Sequence, residues 1–238
     1  MKRDIKKSII KLFHLIILIS VLISCKNKTK NVDKLIILDS IQNYLETANN
    51  LELDSLTSVK NRDRATKLIN QLPKDSLYFK NKIFIAFCHY NINDFEGYKR
   101  QLQRLFIELN KENEAYYGPR ILTYLGEYYS LKLKMDSAIL NFRKSKILYE
   151  NQNNKGKIGY VYLLEAIAKA NVSDYLGSEQ AALMALSYLI NTNSDDDKIE
   201  LYNLLGIASI ELNKFENANY YLNKAFNLAS KKTKKIFT

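Results

Sequence analysis

Glycine and proline are scarce in this sequence, with seven and two copies in 238 residues, and tryptophan is absent. A turn-rich β fold needs more of the first two, so their scarcity favours long helices. Cysteine is also scarce. Cys25 and Cys88 are the two thiols, which excludes a disulfide-rich scaffold. Cys88 lies in an apolar helical stretch, so we expect it to be a buried structural residue.

Residues with the chemistry of an active site are equally rare. Apart from His14 in the apolar N-terminal segment, His89 is the one histidine, and no second ligand or paired nucleophile accompanies it. The glycines are scattered and form no phosphate-binding loop. The acidic run at 194–197 lacks the alternating ligands and the glycine of a calcium loop, so we expect it to cap a helix. The sequence therefore predicts no enzymatic activity, no metal and no cofactor.

The formal net charge is +11, but part of it belongs to the N-terminus. Residues 1–24 hold five of the 36 basic residues and one of the 25 acidic ones, which leaves +7 for the rest of the chain. This excess is spread along the sequence apart from short runs near both ends. Because no groove-reading motif accompanies the charge, we expect no binding to nucleic acid.

The N-terminus combines a basic segment with a short apolar run. Five Lys and Arg residues within the first eleven positions precede the run Leu12–Ile23. This run is shorter than the roughly 20 residues that span a bilayer as a helix, which is typical of a secretory signal peptide. It ends in Leu22-Ile23-Ser24-Cys25, which closely resembles the lipobox of bacterial lipoproteins.

The lipobox resemblance implies a signal peptide at 1–24, a lipidated Cys25 and a polar tether at 25–31. Acyl chains on Cys25 would anchor the protein to a membrane of the bacterial cell envelope. Lys26, Asn27 and Lys28 do not form the acidic export signal of some surface lipoproteins, so we expect the protein to face the periplasm. The alternative is a short membrane anchor in which Cys25 is incidental.

Beyond residue 76 the sequence repeats every 40 residues. Three positions share this period: a residue at the end of a polar turn, a small residue in the helix before the turn, and the residue three positions after the first. They are Phe95, Met135, Tyr175 and Phe215; Ala86, Gly126, Ala166 and Gly206; and Tyr98, Ala138, Ser178 and Ala218. Four units in one register indicate a repeat architecture.

This register predicts four helix pairs. They lie at 77–91 with 95–110, 115–131 with 135–150, 157–171 with 175–191, and 196–212 with 215–230. We predict an N-terminal helical pair or cap at 32–76, helical repeats at 77–232 and a basic tail at 233–238.

The clearest copy of the unit is the stretch Pro119–Glu150. Its small, aromatic and apolar residues recur at fixed spacings: Leu125, Gly126, Tyr129, Ala138, Phe142 and Ser145. These spacings resemble those of the tetratricopeptide (TPR) repeat. The last pair matches in the same way, through Leu205, Gly206, Ala208, Phe215, Ala218, Leu222 and Ala225. The resemblance implies an all-α fold, a TPR-like α-solenoid of antiparallel helix pairs with a period of about 40 residues.

The resemblance also assigns helix-packing roles and shows where the chain departs from the family. The packing residues it implies are Ala86, Gly126, Ala138, Phe142, Gly206 and Ala218. Tyr98 stands where a small residue is usual, Ser209 where tyrosine is usual, and Glu165 and Lys169 where leucine and tyrosine are usual. The period exceeds the usual length of about 34 residues.

In TPR arrays the first helix of each pair lines a groove that binds a protein or peptide partner. Carried over to this sequence, the groove positions are Arg120, Thr123, Glu127, Tyr160, Leu163, Ile167, Glu200, Asn203 and Ile207. The Lys and Asn clamp of chaperone-type TPRs is not matched at these positions. The implied groove has an apolar and aromatic centre with charged ends, which suits a helix or an extended segment with apolar anchors.

We therefore predict a membrane-anchored periplasmic lipoprotein that acts as a protein–protein interaction scaffold. A first alternative is a truncated or stand-alone sensory domain related to TPR-containing bacterial signalling and transcriptional regulators. A second is a glycan- or small-molecule-binding lipoprotein, which the 17 tyrosines suggest. Such a protein would need a deep pocket with stacked aromatic side chains.

Overall fold

The computed structural model describes residues 35–50, 52 and 54–236, with side chains to residue 232. The predicted signal peptide, the lipidation at Cys25 and the tether lie outside these residues. The boundary between two compact units falls between Pro73 and Lys74. Across the described helices, none combines the length and the apolar character needed to cross a membrane.

The first unit contains two helices in its described part, α1 at 35–49 and α2 at Ser55–Ile69. The carboxylate of Asp54 accepts a hydrogen bond from the backbone N–H of Thr57 at 2.9 Å and so caps α2. The apolar side chains that α1 and α2 bury are Ile41, Leu45, Ala48, Ala65 and Ile69.

The second unit consists of eight helices in its described part. They are α3 (Ser76–Asn91), α4 (Phe95–Glu108), α5 (Lys111–Leu131), α6 (Met135–Asn151), α7 (Lys155–Ala170), α8 (Tyr175–Leu189), α9 (Asp195–Glu211) and α10 (Phe215–Ile236). Each helix packs on the next in sequence, and the first helices of neighbouring pairs also touch. We find no strand in any described range. The predicted all-α fold of antiparallel helix pairs is confirmed.

The turn between the two helices of each pair has a backbone geometry that repeats with the same 40-residue period as the sequence. One residue per turn has a positive φ of 54–61°, again at a spacing of 40: Asn93, Leu133, Ser173 and Asn213. The backbone N–H of the next residue donates to the carbonyl five positions earlier, as from Asp94 to His89 at 2.9 Å. These bonds satisfy carbonyls at the end of the first helix and turn the chain into the second.

Two of the predicted packing residues, Gly126 and Gly206, lie where the helices of a pair approach closely. All six predicted packing residues are buried. A Cβ atom on Gly126 would lie 2.4 Å from Cε1 of Phe142, and one on Gly206 would lie 2.6 Å from Cδ2 of Leu222. The helices can therefore approach this closely only because the two positions carry no side chain.

The departures from the repeat pattern have local partners in several cases. Glu165 accepts from the ammonium group of Lys146 at 2.6 Å, and that group lies 3.7 Å from the ring centre of Tyr162. This contact joins α6 to α7 where a leucine would otherwise pack. Tyr98 is buried among other aromatic rings. Ser209 is buried, and its hydroxyl has no hydrogen-bond partner in the described part of the chain.

Two helix ends differ from the predicted ones by more than two residues. Helix α5 begins at Lys111 rather than 115, so Pro119 lies inside it. The carbonyl of Ala115, which the proline leaves without its helical donor, accepts a hydrogen bond from the side-chain amide of Gln152. Helix α10 continues to Ile236, whereas the pattern ended it near 230.

Candidate functional site

The nine predicted groove residues fall into three groups by burial. Exposed side chains are those of Arg120, Glu200, Asn203 and Ile207, and partly buried ones are those of Glu127, Tyr160 and Ile167. Thr123 and Leu163 are buried. The hydroxyl of Thr123 donates to the carbonyl of Pro119 at 2.9 Å and contacts the Ser145 hydroxyl at 2.8 Å. These two side chains belong to the packing between helices rather than to an open surface.

Two of the groove residues, Glu127 and Ile167, meet in a cavity of about 330 Å³. We call it the Glu127 cavity. It is partly open to solvent. Its lining includes Glu127, Phe87, Tyr90, Tyr98, Tyr128 and Ile167. Its wall comes mainly from the C-terminal parts of α3, α5 and α7, the first helices of three successive pairs. The size falls in the range of pockets that bind ligands.

Glu127 is the unusual residue of this cavity. Burial raises the pKa of its carboxyl group to about 7, from an ordinary value of 4.5, and desolvation is the sole cause. Within the described ranges, the carboxylate has neither an ion pair nor a hydrogen bond. The equivalent positions of the other three pairs are apolar: Phe87, Ile167 and Ile207. The repeat therefore does not need a carboxylate here.

Aromatic rings surround the carboxylate on one side. The Phe87 ring packs against Tyr98 with 5.8 Å between centres, and edge-on against Tyr124 with 5.0 Å. Tyr90 contacts Tyr98 edge-on at 5.4 Å. Desolvation, together with the charge of Glu127, raises the pKa of the Tyr98 hydroxyl well above its usual value. The phenol of Tyr98 therefore stays protonated at any physiological pH.

A second cavity, of about 380 Å³, lies between α7 and the start of α9. Tyr160, a predicted groove residue, lines it together with Lys157 and Asp197. This cavity is the shallower of the two and places both charge signs on its wall. Its mixed wall favours neither an anionic nor a cationic ligand.

Groups of three or more His, Cys, Asp or Glu side chains that could hold a metal ion are not found among the described residues. Cys88 is buried. The carboxylate of Asp94 lies 2.7 Å from Nδ1 of His89 and caps α4 through the N–H of Gly97. These groups serve the turn between α3 and α4.

Sequence reasoning included Glu127 and Ile167 but missed the aromatic part of the lining. Phe87, Tyr90 and Tyr98 belong to the first pair, which the groove assignment left out. The 40-residue register offered the signal, since it aligns Phe87 with Glu127 and marks the latter as the one charged residue at its position.

The described helices of the second unit form a TPR-like α-solenoid. Comparison by sequence finds no matching protein family and no similar curated protein. Three solved structures share the fold. Aspartyl phosphate phosphatase F from Bacillus subtilis is 14% identical with a TM-score of 0.73, over 86% of this chain and 54% of its own. The apo form of RapI is 14% identical with a TM-score of 0.70, over 83% and 73%. BtubC (BKLC) from P. vanneervenii is 13% identical with a TM-score of 0.67, over 76% of each chain.

These neighbours are helical repeat proteins of the TPR type, and at such identities the likeness shows the fold alone. This chain spans about half the length of phosphatase F. The predicted TPR-like architecture is confirmed by these matches.

Proposed function

We propose that the chain is a lipid-anchored, periplasm-facing scaffold whose TPR-like repeats bind a protein or peptide partner along their first helices. The observation that carries the binding role is the Glu127 cavity, because three successive first helices supply most of its wall and its carboxylate has no partner among the residues that the structure describes. Repeat arrays bind extended partners along one face, and a half-open cavity on that face provides an anchoring point.

Site-specific crosslinking tests the binding role. Ile207 on α9 and Ile147 on α6 are matched probes, since their side chains are 49% and 50% exposed and lie on a first and a second helix respectively. A photoreactive phenylalanine analogue at position 207 should give a discrete crosslinked partner in cells that produce the protein. The same analogue at position 147 should give none. Equal adducts from both positions, or none from either, would contradict the proposed face.

The anchoring role rests on the lipobox, and it has a separate test. The Cys25→Ser variant should lose incorporation of an alkyne-labelled fatty acid and should leave the membrane fraction. The Cys88→Ala variant is the control, since Cys88 lies in the folded repeats. A Cys25→Ser variant that keeps both the label and the membrane association would show that another feature anchors the chain.

A small-molecule ligand is the second candidate function, and the aromatic lining of the Glu127 cavity favours it. The rings of Phe87, Tyr90 and Tyr98 are tilted or edge-on to one another rather than stacked, so they present edges as well as faces. Native mass spectrometry of the purified protein would reveal a stoichiometric ligand. A sensory role depends on an output domain beyond Thr238, which the downstream gene sequence would reveal.

A further inference from the structure

We infer that the Glu127 cavity holds the cationic side chain of a lysine or arginine from the bound partner. This inference rests on the proposed binding role and adds the chemistry that the site recognises. It assigns Glu127 as the counter-ion and the rings of Phe87, Tyr90 and Tyr98 as the apolar and aromatic wall around the aliphatic part of the ligand.

The carboxylate is the first argument. A partly buried carboxylate without a counter-ion is costly, and folded proteins usually pair such a group. Glu127 has no ionic partner among the described residues, although two other buried or partly buried carboxylates, Glu165 and Glu179, are each paired with a lysine. The equivalent apolar residues Phe87, Ile167 and Ile207 show that packing alone does not require a charge here. An external cation would supply what the fold leaves out.

The aromatic wall is the second argument. Cations bind over aromatic faces within about 6 Å of the ring centre. Two rings next to the cavity already hold ammonium groups of the chain itself: Lys99 lies 5.4 Å from the centre of Tyr128, and Lys132 lies 5.0 Å from that of Phe95. Lys99 also pairs with Glu96 at 2.6 Å, so it is engaged outside the cavity. A cation from the partner would make the same kind of contact with the aromatic rings that line the cavity.

Backbone electrostatics give the third argument. The lining includes Tyr90, Leu131 and Asn171, which lie at the C-terminal ends of α3, α5 and α7. Helix C-termini carry partial negative charge and favour nearby cations. An anionic ligand would face these three helix ends and Glu127 together. The overall charge of +11 acts mainly at longer range, where salt screens it.

Titration of the site gives the inference a distinctive signature. The groups that interact with Glu127 electrostatically are Tyr98 from α4 and Tyr160 from α7, and the pKa of each hydroxyl is raised above its ordinary value. The lining Tyr90 and Tyr128 are also phenols. Because the pKa of Glu127 is about 7, the site gains its negative charge between pH 5.5 and pH 8, while a lysine or arginine side chain stays charged.

The test is an NMR titration of the full chain in mild detergent, with isoleucine methyl groups labelled. Ile167 lies in the lining and reports on the cavity, and Ile107, exposed on α4, is the reference. The probes are the N-methylamides of Nα-acetyl-lysine and Nα-acetyl-arginine, with the norleucine compound as the uncharged analogue. The cationic probes should shift the Ile167 methyl signal saturably, and the norleucine probe should shift it at least tenfold more weakly.

The pH profile and two variants complete the experiment. Affinity for the lysine probe should be higher at pH 8 than at pH 5.5 in the wild type, by roughly thirtyfold where only the ionised carboxylate binds the probe. The Glu127→Gln variant should bind at least tenfold more weakly at pH 8 and show no such rise. The Glu211→Gln variant removes an exposed carboxylate elsewhere on α9 and should behave as wild type. Any titration of His89 is common to all three proteins.

Several results would overturn the inference. The first is equal binding of the lysine and norleucine probes, and the second is an affinity for the lysine probe that falls as pH rises. The third is saturable binding that does not shift the Ile167 methyl signal. The fourth is the absence of any shift with probe concentrations of about 50 mM, which would leave only a negligible binding free energy. The proposed binding role has its own readout in the crosslinking at position 207. A crosslinked partner without cation binding would refute this inference and leave the binding role standing.

Discussion

Glu127 makes the stability of the fold depend on pH in a predictable direction. Its folded pKa of about 7 lies above the ordinary 4.5, so the folded state binds the proton more tightly than the unfolded state does. Below about pH 4.5 the carboxyl group is protonated in both states, so its ionisation does not lower the free energy of unfolding. As pH rises from there to about 7, the free energy of unfolding decreases, and above pH 7 the loss is complete.

The Glu127→Leu variant should remove this loss. It restores the apolar character of the equivalent Ile167 and Ile207, and we expect a stabilisation larger by about 2 kcal/mol at pH 8 than at pH 5. Urea unfolding of both proteins at the two pH values measures the difference. The Glu211→Leu variant changes an exposed residue and should give a shift that is small and independent of pH. A pH-independent effect at position 127 would show that desolvation of the carboxylate is not the cause.

Two buried serines should respond in opposite ways to loss of the hydroxyl. The hydroxyl of Ser178 is buried without a hydrogen-bond partner among the described residues, and the equivalent positions hold Ala138 and Ala218. Ser178→Ala should therefore stabilise the protein by about 1 kcal/mol. Ser145 is equally buried but donates to the carbonyl of Pro119 at 2.7 Å. Ser145→Ala should destabilise by about 1–2 kcal/mol. Thermal unfolding compares the two variants, and shifts of the same sign would refute the argument.

Among the helices, the closest crossings are those that a glycine permits. The Phe142 ring lies where a Cβ of residue 126 would be, so this buried ring, which also lines the Glu127 cavity, would have to shift to make room. Overpacking of this kind costs about 1–3 kcal/mol. We therefore expect Gly126→Ala to destabilise the protein by that amount in chemical unfolding.

The chain offers a matched control for this substitution. Gly156 lies in the first turn of α7, and a Cβ added there meets nothing within 4 Å. Gly156→Ala should stabilise by about 0.5 kcal/mol through the lower entropy of the unfolded chain. If both variants lose stability equally, a general cost of replacing glycine, rather than the contact with Phe142, would account for the loss.

The helices show how far local patterns reach. The 40-residue register predicted each helix pair because the turn residue and the small residue of each pair lie close together in the sequence. It placed the start of α5 four residues late, and Pro119 lies inside the helix rather than in the first helical turn, where proline is common. The helix extends back to Lys111 because Asn110 caps it and Gln152, from the next pair boundary, satisfies the carbonyl of Ala115. That contact joins residues 37 positions apart, and no local pattern contains it.

The cavity marks the same limit. The resemblance placed Glu127 and Ile167 on the groove side from their positions in the repeat alone. The aromatic lining depends on how the first pair stacks on the second, which brings Phe87 and Tyr98 to Glu127. Stacking geometry arises from the fit of whole helices, so it became visible only in the folded unit.

Across the whole solenoid, the repeats alternate over 80 residues. The first and third pairs cap their second helix with Asp94 and Asp174, whose carboxylates accept from the N–H of Gly97 and Gly177. The second and fourth pairs have lysine at the cap instead, and at the small-residue position of the first helix they have glycine where the first and third pairs have alanine. The solenoid is thus built from two kinds of pair in alternation. The Glu127 cavity is lined by residues of the first, second and third pairs, so it spans both junctions of the second pair with its neighbours.

Stability should decrease toward the last pair, because each pair of a solenoid is stabilised only by its neighbours. Helix α10 keeps several large side chains exposed on the face away from α9, among them Phe226 at 69%. In the described part of the unit, no helix follows it. We expect backbone amides of α10 to exchange with deuterium at least tenfold faster than those of α5–α8.

Hydrogen exchange with mass spectrometry measures this gradient, and one pair of variants sharpens it. Gly206→Val forces a side chain against Leu222 and should raise exchange in α9 and α10 while leaving α5 and α6 protected. Gly126→Val acts at the second pair, so loss of its packing exposes neighbours on both sides and should raise exchange from α3 to α8. If both variants raise exchange uniformly along the unit, the eight helices unfold as a single cooperative block. The nearest-neighbour account of this solenoid would then be wrong.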